Sequence, residues 1–222
     1  MKKHAQTTHT LYAMTGLWKW RTIFFLHSVI ICLFLTWIFP MTRALWDVLD
    51  IWTFKELNIW IQTNPFWQTF WALANHKYMD WFFDVVMLVF IGHYITMAPR
   101  HLKLRRVAEM LFCIFITASA IILINRGFFK YAVFYERQSP SLITPMATIL
   151  SKVLPWIKIK VSAKNSFPGD HATTAIMFML SMGILLDKKR AFLAALTGVF
   201  FILPRLIVGA HWLTDVMIGS LS

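Results

Sequence analysis

Five mostly apolar runs, each nearly long enough to cross a lipid bilayer, constrain the fold of this chain more than any other feature. The runs cover residues 22–39, 81–98, 107–124, 168–186 and 191–208. An α-helix needs about 20 apolar residues to cross the hydrocarbon core, where it satisfies its own backbone hydrogen bonds. Each run therefore predicts a membrane-spanning helix. A further run begins near His211 and stops at Ser222, which predicts a partial or truncated sixth helix.

The composition is typical of a membrane protein rather than a soluble domain. Hydrophobic residues make up 58% of the 222 residues, and charged residues only 14%. We expect an all-α fold, a polytopic membrane helix bundle with five full spans and the partial sixth, in a single membrane-embedded domain at residues 1–222. No small-residue cleavage site follows Phe39, so the first run is expected to be a retained helix.

The segment between the first two runs, residues 41–80, is rich in tryptophan and is divided by Pro65. Its tryptophans are Trp46, Trp52, Trp60, Trp67 and Trp71. Because amphipathic aromatic rings favour the membrane–water interface, the pattern predicts two amphipathic segments lying there. Two roles remain open: a structural lid packed on the bundle, or a guide that leads lipid tails to a site.

The net charge of +12 is compatible with either nucleic acid or anionic lipid as a partner. The sequence has no base-stacking motif and no soluble basic domain, so we expect membrane lipids and no nucleic acid. Both cysteines, Cys32 and Cys113, fall inside apolar runs. A disulfide or a metal site is therefore not expected.

A sequence motif near the C-terminus contains the residue types that a site needs to attack phosphorus. It is the third of three motifs in chain order. Residues 204–215 read Pro-Arg-Leu-Ile-Val-Gly-Ala-His-Trp-Leu-Thr-Asp. His211 and Asp215 are four residues apart, which on a helix puts them on one face. A carboxylate beside an imidazole fixes its tautomer and stabilises the imidazolium. Arg205 can bind a phosphate in a bidentate manner.

Two motifs lie upstream. The first motif is Lys130, six residues, then Arg137-Gln-Ser-Pro, and the second is Ser166-Phe-Pro-Gly-Asp-His171. We expect Ser166 or Asn165 to cap a helix, whose first turn would present free backbone N–H groups to a phosphate. His171 would lie in that turn, where it can protonate a leaving oxygen.

Together, the three motifs resemble the ordered signature of the type-2 phosphatidic-acid phosphatase superfamily: Lys-x6-Arg-Pro, Pro-Ser-Gly-His and Ser-Arg-x5-His-x3-Asp. The resemblance covers roughly residues 80–222. It implies that His211 is the nucleophile that forms a phosphohistidine, that Asp215 supports it and that His171 protonates the leaving group. The implied phosphate-binding residues are Lys130, Arg137, Arg205, Ser166 and Gly169.

In the first motif, Gln138-Ser139 separates Arg137 from the proline that directly follows it in the broad signature. The chain departs from the signature at two further places. Gly169-Asp170 stands where the superfamily has Ser-Gly, which removes a hydroxyl, and Pro204 stands where it has Ser. Asp170 would repel a phosphate if it pointed inward. We therefore expect it to favour the helix N-terminus or to hold a lysine or arginine of the phosphate clamp, which is Lys130, Arg137 and Arg205. Both departures are similar to the pattern of bacterial lipid A 1-diphosphate synthases.

That resemblance implies an enzyme that transfers phosphate from undecaprenyl pyrophosphate to lipid A. Hydrolysis of undecaprenyl pyrophosphate or another lipid phosphate is the alternative, and a non-catalytic lipid transport or assembly protein is a second one. The substrate would be a lipid phosphate. We expect no cofactor and no metal, since no His, Asp or Cys cluster with ligand spacing lies outside the motifs. The oligomeric state stays open.

Basic residues predict the orientation in the membrane. They concentrate at residues 2–21, 100–106 and 188–190, which the predicted spans place on one side. The positive-inside rule makes this side cytoplasmic, so the motifs would face the periplasm of a bacterial inner membrane.

Other charged residues outside the motifs have possible roles. The outer loop before His171 carries four lysines, which form either a solvated face or a patch that binds additional phosphates: Lys152, Lys158, Lys160 and Lys164. Within the spans, Asp84 could support the site, and Glu109 is expected to pair with Arg105 or Arg106.

Overall fold

A computed structural model describes residues 19–133, 136–145, 147–159 and 162–221, without the side chains of Lys130 and Leu221. Within these ranges the chain is helical and forms no β-strand, which confirms the all-α prediction. The described residues up to Asp47 and those from Val48 onward form two compact units. In the first unit, the Arg43 guanidinium lies 4.5 Å from the centre of the Trp37 ring.

The first three helices have 20, 19 and 10 residues, so none is longer than a single membrane span. Helix α1 covers Lys19–Ile38 and α2 covers Pro40–Asn58. A 3₁₀ turn at Ile59–Ile61 leads to α3 at Pro65–Ala74. The Asn64 side chain accepts a hydrogen bond from the Phe66 backbone N–H at 2.9 Å, and this cap starts α3 after the predicted break at Pro65.

The remaining helices build the bundle and the site. Helix α4 covers Lys77–Thr96, and α5 covers Arg100–Ser119 and continues in wider π-helical turns through Ala120–Val133. Two single-turn helices follow, α6 at Pro140–Ile143 and α7 at Leu150–Val153. The last three are α8 at Asp170–Leu185, α9 at Lys188–Ile207 and α10 at Leu213–Leu221.

The predicted count of five full spans is not confirmed. Among the described residues, four helices are long and apolar enough to cross a membrane: α1, α4, α5 with its extension, and α9. Helix α8 has only 16 residues, which is about 24 Å of helix, because its predicted first residues belong to the loop before it. Because four helices are suited to cross a membrane, the chain is nevertheless a multi-pass membrane protein.

Helices α8 and α9 form an antiparallel hairpin that carries the second and third motifs. The turn between them is short because Asp187 caps α9, accepting hydrogen bonds from the backbone N–H groups of Lys189 and Arg190 at 3.2 and 3.3 Å. Helix α8 therefore begins, and α9 ends, at the same end of the bundle. Around the hairpin, α4 and α5 complete a core whose members include Phe83, Met87, Met110, Phe178, Met182 and Phe201.

Helix α10 packs against the start of α8 through two glycines. A Cβ on Gly219 would lie 2.7 Å from the Gly169 carbonyl oxygen, so only glycine allows this approach of the two backbones. The Gly169 N–H in turn donates to the Asp215 carbonyl at 3.2 Å. The chain thus joins its second and third motifs by backbone contact.

Candidate active site

The second and third motifs open onto one cavity of about 420 Å³, here called the catalytic cavity. His171 reaches it from the first turn of α8, and His211 from the turn between α9 and α10. Arg205, Asp80 and Ser166 also line it. The structure therefore brings together both histidines and one cation of the predicted phosphate clamp, Arg205.

His211 lies outside a helix, contrary to the predicted placement on one helix face with Asp215. Helix α9 ends at Ile207, and the following Gly209 adopts a φ of +76°, a left-handed conformation that turns the chain. The backbone N–H groups of Ala210 and His211 then donate to the Arg205 carbonyl at 2.9 and 3.3 Å. This turn points the imidazole into the cavity before α10 begins.

Asp215 is fully buried and faces His211 from the first turn of α10. Its Oδ2 accepts a hydrogen bond from the Trp212 backbone N–H at 2.9 Å and lies 3.8 Å from His211 Nδ1. Neither His211 Nδ1 nor Asp215 Oδ1 has a hydrogen-bond partner among the described residues. A small ring movement would close the Nδ1–carboxylate hydrogen bond and leave Nε2 for the substrate.

Arg205 is buried and is held by groups on two helices. Its Nη1 donates to the Phe201 carbonyl, and its guanidinium lies 4.7 Å from the centre of the Phe201 ring. Its Nη2 lies 2.5 Å from Asp80 Oδ1. The other oxygen of Asp80 lies 4.0 Å from His171 Nε2.

Sequence reasoning missed Asp80 and considered Asp84 instead. Asp84 lies one turn further along α4 and is exposed. The predicted span began at residue 81, whereas α4 begins at Lys77 and includes Asp80 in its first turn. The spacing of four residues between the two aspartates puts them on one face of a helix, but only the packing shows which one contacts Arg205.

The predicted caps of α8 are wrong. Gly169 is the residue that precedes the helix, and no side chain caps it. The Ser166 hydroxyl instead donates to the Arg137 carbonyl at 3.1 Å, and Asn165 accepts from the Phe167 N–H at 3.2 Å. Ser166 still lines the catalytic cavity, whereas Gly169 does not. Phosphate binding by either residue stays a prediction.

Arg137 lies in a buried network beside the catalytic cavity rather than in its lining. Its Nη1 contacts Asp50 Oδ2 at 2.5 Å and Thr214 Oγ1 at 2.9 Å. Its guanidinium stacks 4.3 Å from the Trp212 ring centre. Burial raises the pKa of Asp50 above its usual range, and Arg137 and Thr214 oppose that rise.

Residues 107–222 match the PAP2 superfamily. The chain belongs to that superfamily. It is 27% identical over 205 residues to "Lipid A 1-diphosphate synthase" of Escherichia coli (strain K12), an alignment that covers 90% of this chain and 82% of that protein. No solved structure matches the chain. This PAP2 protein is therefore an enzyme, a membrane lipid phosphatase or phosphotransferase.

The matched segment supplies the histidines and arginines of the candidate site, and the preceding half supplies two aspartates. Arg137 is held by Asp50 and Arg205 by Asp80, each at 2.5 Å. Both aspartates lie outside residues 107–222. A search restricted to the three motifs could not have found them.

Asp170 lines the catalytic cavity from the first turn of α8 and holds an arginine, but not one of the predicted clamp. The arginine is Arg126, whose Nε and Nη2 lie 3.1 and 3.0 Å from Asp170 Oδ2. Asn125 donates to the other carboxylate oxygen at 3.1 Å. Arg126 belongs to none of the three motifs. The side chain of Lys130, the predicted clamp residue nearby, lies outside the described residues.

Two lysines of this PAP2 protein stand at the catalytic cavity without belonging to a motif. Lys77 and Lys158 line it, and they are brought together by an antiparallel bridge between their neighbours His76 and Ile159. Lys158 comes from the predicted lysine patch, of which Lys160 lies outside the described residues. Several positive charges therefore surround the two histidines, as binding of a phosphate requires.

Proposed function

We propose that this enzyme transfers a phosphoryl group from undecaprenyl pyrophosphate to lipid A at the periplasmic face of a bacterial inner membrane. The observation that carries the proposal is the single cavity lined by His171, Arg205 and His211. It contains a nucleophile, an acid and a cation, which phosphoryl transfer through a covalent intermediate needs. The name of the 27% identical relative supports lipid A as the acceptor.

In the first step, His211 attacks the terminal phosphorus of the pyrophosphate. Its Nδ1 faces the Asp215 carboxylate at 3.8 Å, so Nε2 carries the lone pair that forms the new P–N bond. The bond from phosphorus to the bridging oxygen breaks, and that oxygen takes a proton from His171. Arg205 stabilises the equatorial oxygens of the transferred group.

In the second step, an oxygen of the acceptor phosphate attacks the phosphohistidine. The P–N bond breaks, its electron pair returns to Nε2 of His211, and a new P–O–P bond forms on the acceptor. A lipid phosphate is already anionic and needs no base for this attack. Water as the acceptor would instead give up a proton to His171, and the reaction would be hydrolysis.

The positive surroundings of the cavity favour an acceptor that carries several phosphates. Lys77 and Lys158 stand among the lining residues, and both are exposed. Exposed lysines attract a polyanionic headgroup more than a single phosphate or a water molecule. This supports transfer to lipid A over hydrolysis.

The direction of the helices supports a site on the side opposite the basic segments. Helix α8 begins at the catalytic cavity, and the chain reaches Lys188–Arg190 only after the helix has ended at Leu185. Helix α4 likewise has Asp80 in its first turn and ends at Thr96, shortly before the basic residues at Arg100–Arg106. If those segments are cytoplasmic, as the positive-inside rule predicts, the cavity faces the periplasm.

The test is a product analysis with purified enzyme in proteoliposomes. Undecaprenyl pyrophosphate labelled with ³²P at its terminal phosphate is supplied with and without lipid A. Transfer gives labelled lipid A 1-diphosphate, whereas hydrolysis gives labelled inorganic phosphate. Release of inorganic phosphate alone in both reactions would replace transfer by hydrolysis. No product from a folded protein would favour a non-catalytic role.

A further inference from the structure

We propose that Asp80 is a positioning residue that holds Arg205 with one carboxylate oxygen and keeps a proton on His171 with the other. The inference deepens the proposed function and rests on it, because His171 acts as the acid there. Asp80 lies outside the three motifs and outside the matched residues 107–222.

The contacts divide the two oxygens of Asp80 between two partners. Oδ1 is 2.5 Å from Arg205 Nη2, and Oδ2 is 4.0 Å from His171 Nε2. The three side chains come from α4, α9 and α8, so this one carboxylate connects three helices at the catalytic cavity. A side-chain movement of about 1 Å would bring Oδ2 within hydrogen-bond distance of the imidazole.

A carboxylate in the lining of a phosphate cavity needs an explanation, because it repels the substrate. Asp80 retains about one third of its side-chain exposure and lines the cavity. Arg205 gives part of the explanation, since its side chain is only 8% exposed and a buried guanidinium needs an anionic partner. That role uses only Oδ1, and it leaves the approach of Oδ2 to His171 unexplained.

His171 explains why the second oxygen of Asp80 faces the cavity. Burial and neighbouring cations favour the neutral imidazole, whereas the acid in the proposed first step must carry a proton. Among the described residues, the other charged or titratable groups that line its cavity, from every element packed there, are Asp80, Asp170, Arg205, His211, Lys77 and Lys158. Only two of these groups are carboxylates. Asp170 engages both of its oxygens elsewhere, Oδ2 with Arg126 at 3.0 Å and Oδ1 with Asn125 at 3.1 Å, whereas Asp80 holds Arg205 with Oδ1 and directs Oδ2 toward His171.

Asp80 is thus the carboxylate that remains to stabilise the imidazolium of His171. The arrangement parallels His211 and Asp215, which lie 3.8 Å apart. The two pairs have different tasks: Asp215 supports the nucleophile from a buried position, whereas Asp80 supports the acid. The same carboxylate keeps the Arg205 guanidinium oriented toward the transferred group.

The experiment compares Asp80→Asn, Asp80→Glu and Asp84→Asn with the wild-type enzyme on undecaprenyl pyrophosphate across pH. Asp80→Asn should lower kcat by at least roughly tenfold, with a smaller change in KM. It should also move the alkaline limb of the kcat profile to lower pH by about one unit, because His171 loses its proton more easily. Asp84→Asn removes an equal charge one turn away and should do much less.

The conservative variant guards against a loss of folding. Asp80→Glu keeps the charge, so it should retain most of the activity and leave the alkaline limb near its wild-type position. Equal losses for Asp80→Asn and Asp84→Asn would overturn the inference. So would a slower Asp80→Asn enzyme with an unmoved limb, or an Asp80→Glu limb displaced as far as that of Asp80→Asn.

A second readout is independent of turnover and separates this inference from the proposed function. The His171 imidazole is titrated by NMR in ¹⁵N-histidine-labelled protein, with its signal assigned by its absence in His171→Gln. The titration midpoint should fall by about one pH unit in Asp80→Asn. A wild-type protein without activity would reject the proposed function alone, whereas equal midpoints in both proteins would reject the role of Asp80.

Discussion

The Asp50 carboxylate lies 2.5 Å from the Arg137 guanidinium, although 87 residues separate the two in the sequence. The same carboxylate accepts hydrogen bonds from the Thr214 backbone N–H at 2.8 Å and from its hydroxyl at 2.5 Å. Asp50 therefore caps the start of α10 from another helix. Because α10 carries Asp215 in its first turn, an α2 residue helps to position the carboxylate that faces His211, the proposed nucleophile.

This network predicts that Asp50→Ala is strongly destabilising. It leaves the Arg137 side chain, which is only 11% exposed, without its carboxylate partner, and loss of one member of such a pair costs about 3–5 kcal/mol. Thermal unfolding in detergent should therefore occur at a clearly lower temperature. Glu56→Ala is the matched control, since Glu56 lies on the same helix and is exposed. Equal melting of both variants would contradict the network.

Arg137 can be tested for a phosphate-binding role in the same series. If Arg137 serves Asp50 and Thr214, the double variant Asp50→Ala/Arg137→Ala should be less destabilised than the sum of the single variants. If it binds phosphate as the first motif implies, Arg137→Ala should in addition raise KM for the lipid substrate beyond the effect of Asp50→Ala. Additive stabilities would show that the two side chains do not act as a pair.

The nucleophile assignment predicts loss of turnover without loss of the fold. His211→Ala should lower the rate by on the order of 10³-fold or more, because it removes the atom that forms the P–N bond. Asp215→Asn should have a smaller effect on the rate, since it removes charge stabilisation and leaves the imidazole. Acid-labile ³²P on the protein after a rapid quench, absent in His211→Ala, is the direct measurement. Near wild-type activity of His211→Ala would remove it from the mechanism.

How far the sequence predicts this site depends on where each residue lies. The motifs and the predicted spans were sufficient to predict that His171, Arg205 and His211 meet. His171 lies at the start of one helix and Arg205 and His211 at the end of the next, and two antiparallel helices joined by a short turn place these ends at one cavity. Spacing could not find Asp50 or Asp80, which belong to no motif and reach the site only through the packing of α2 and α4.

Helix boundaries explain the other differences. The apolar run that predicted α4 began at residue 81, but the His76 side chain caps the helix earlier by accepting from the Tyr78 N–H at 3.2 Å. The run that predicted α5 ended at residue 124, whereas the helix continues to Val133 and includes Arg126. Hydropathy reports which residues enter lipid, and helices extend beyond that limit wherever local hydrogen bonds allow.

The proposed orientation predicts which exposed positions a membrane-impermeant thiol reagent reaches. Cysteine at Gln138, beside the site, should be labelled on cells with a permeabilised outer membrane, whereas cysteine at Lys189 should not. Lys189 is used because the neighbouring Asp187 caps α9. Both cysteines are introduced after Cys32 and Cys113 have been replaced by alanine, since Cys32 is exposed. Labelling at position 189 but not at 138 would reverse the topology.

The cavity lysines predict which side chains select the acceptor. Lys158 lines the catalytic cavity, whereas Lys152, in the same lysine patch, does not, although both are exposed. A polyanionic headgroup gains more from an exposed lysine than a small lipid phosphate does, and the gain falls as salt is raised. Lys158→Gln should therefore slow transfer to lipid A and weaken its salt dependence, while hydrolysis of a short-chain lipid phosphate changes little.

Lys152→Gln is the control for this prediction, because it removes the same charge from the same loop. It should leave both reactions close to those of the wild-type enzyme. The measurement is the ratio of the two rates for each variant at low and high salt. If Lys158→Gln lowers both rates equally, the lysine serves the general field of the site or the fold of its loop. If both variants slow transfer to lipid A to the same extent, the patch acts as a whole rather than through Lys158. If neither does, selection of the acceptor depends on other residues.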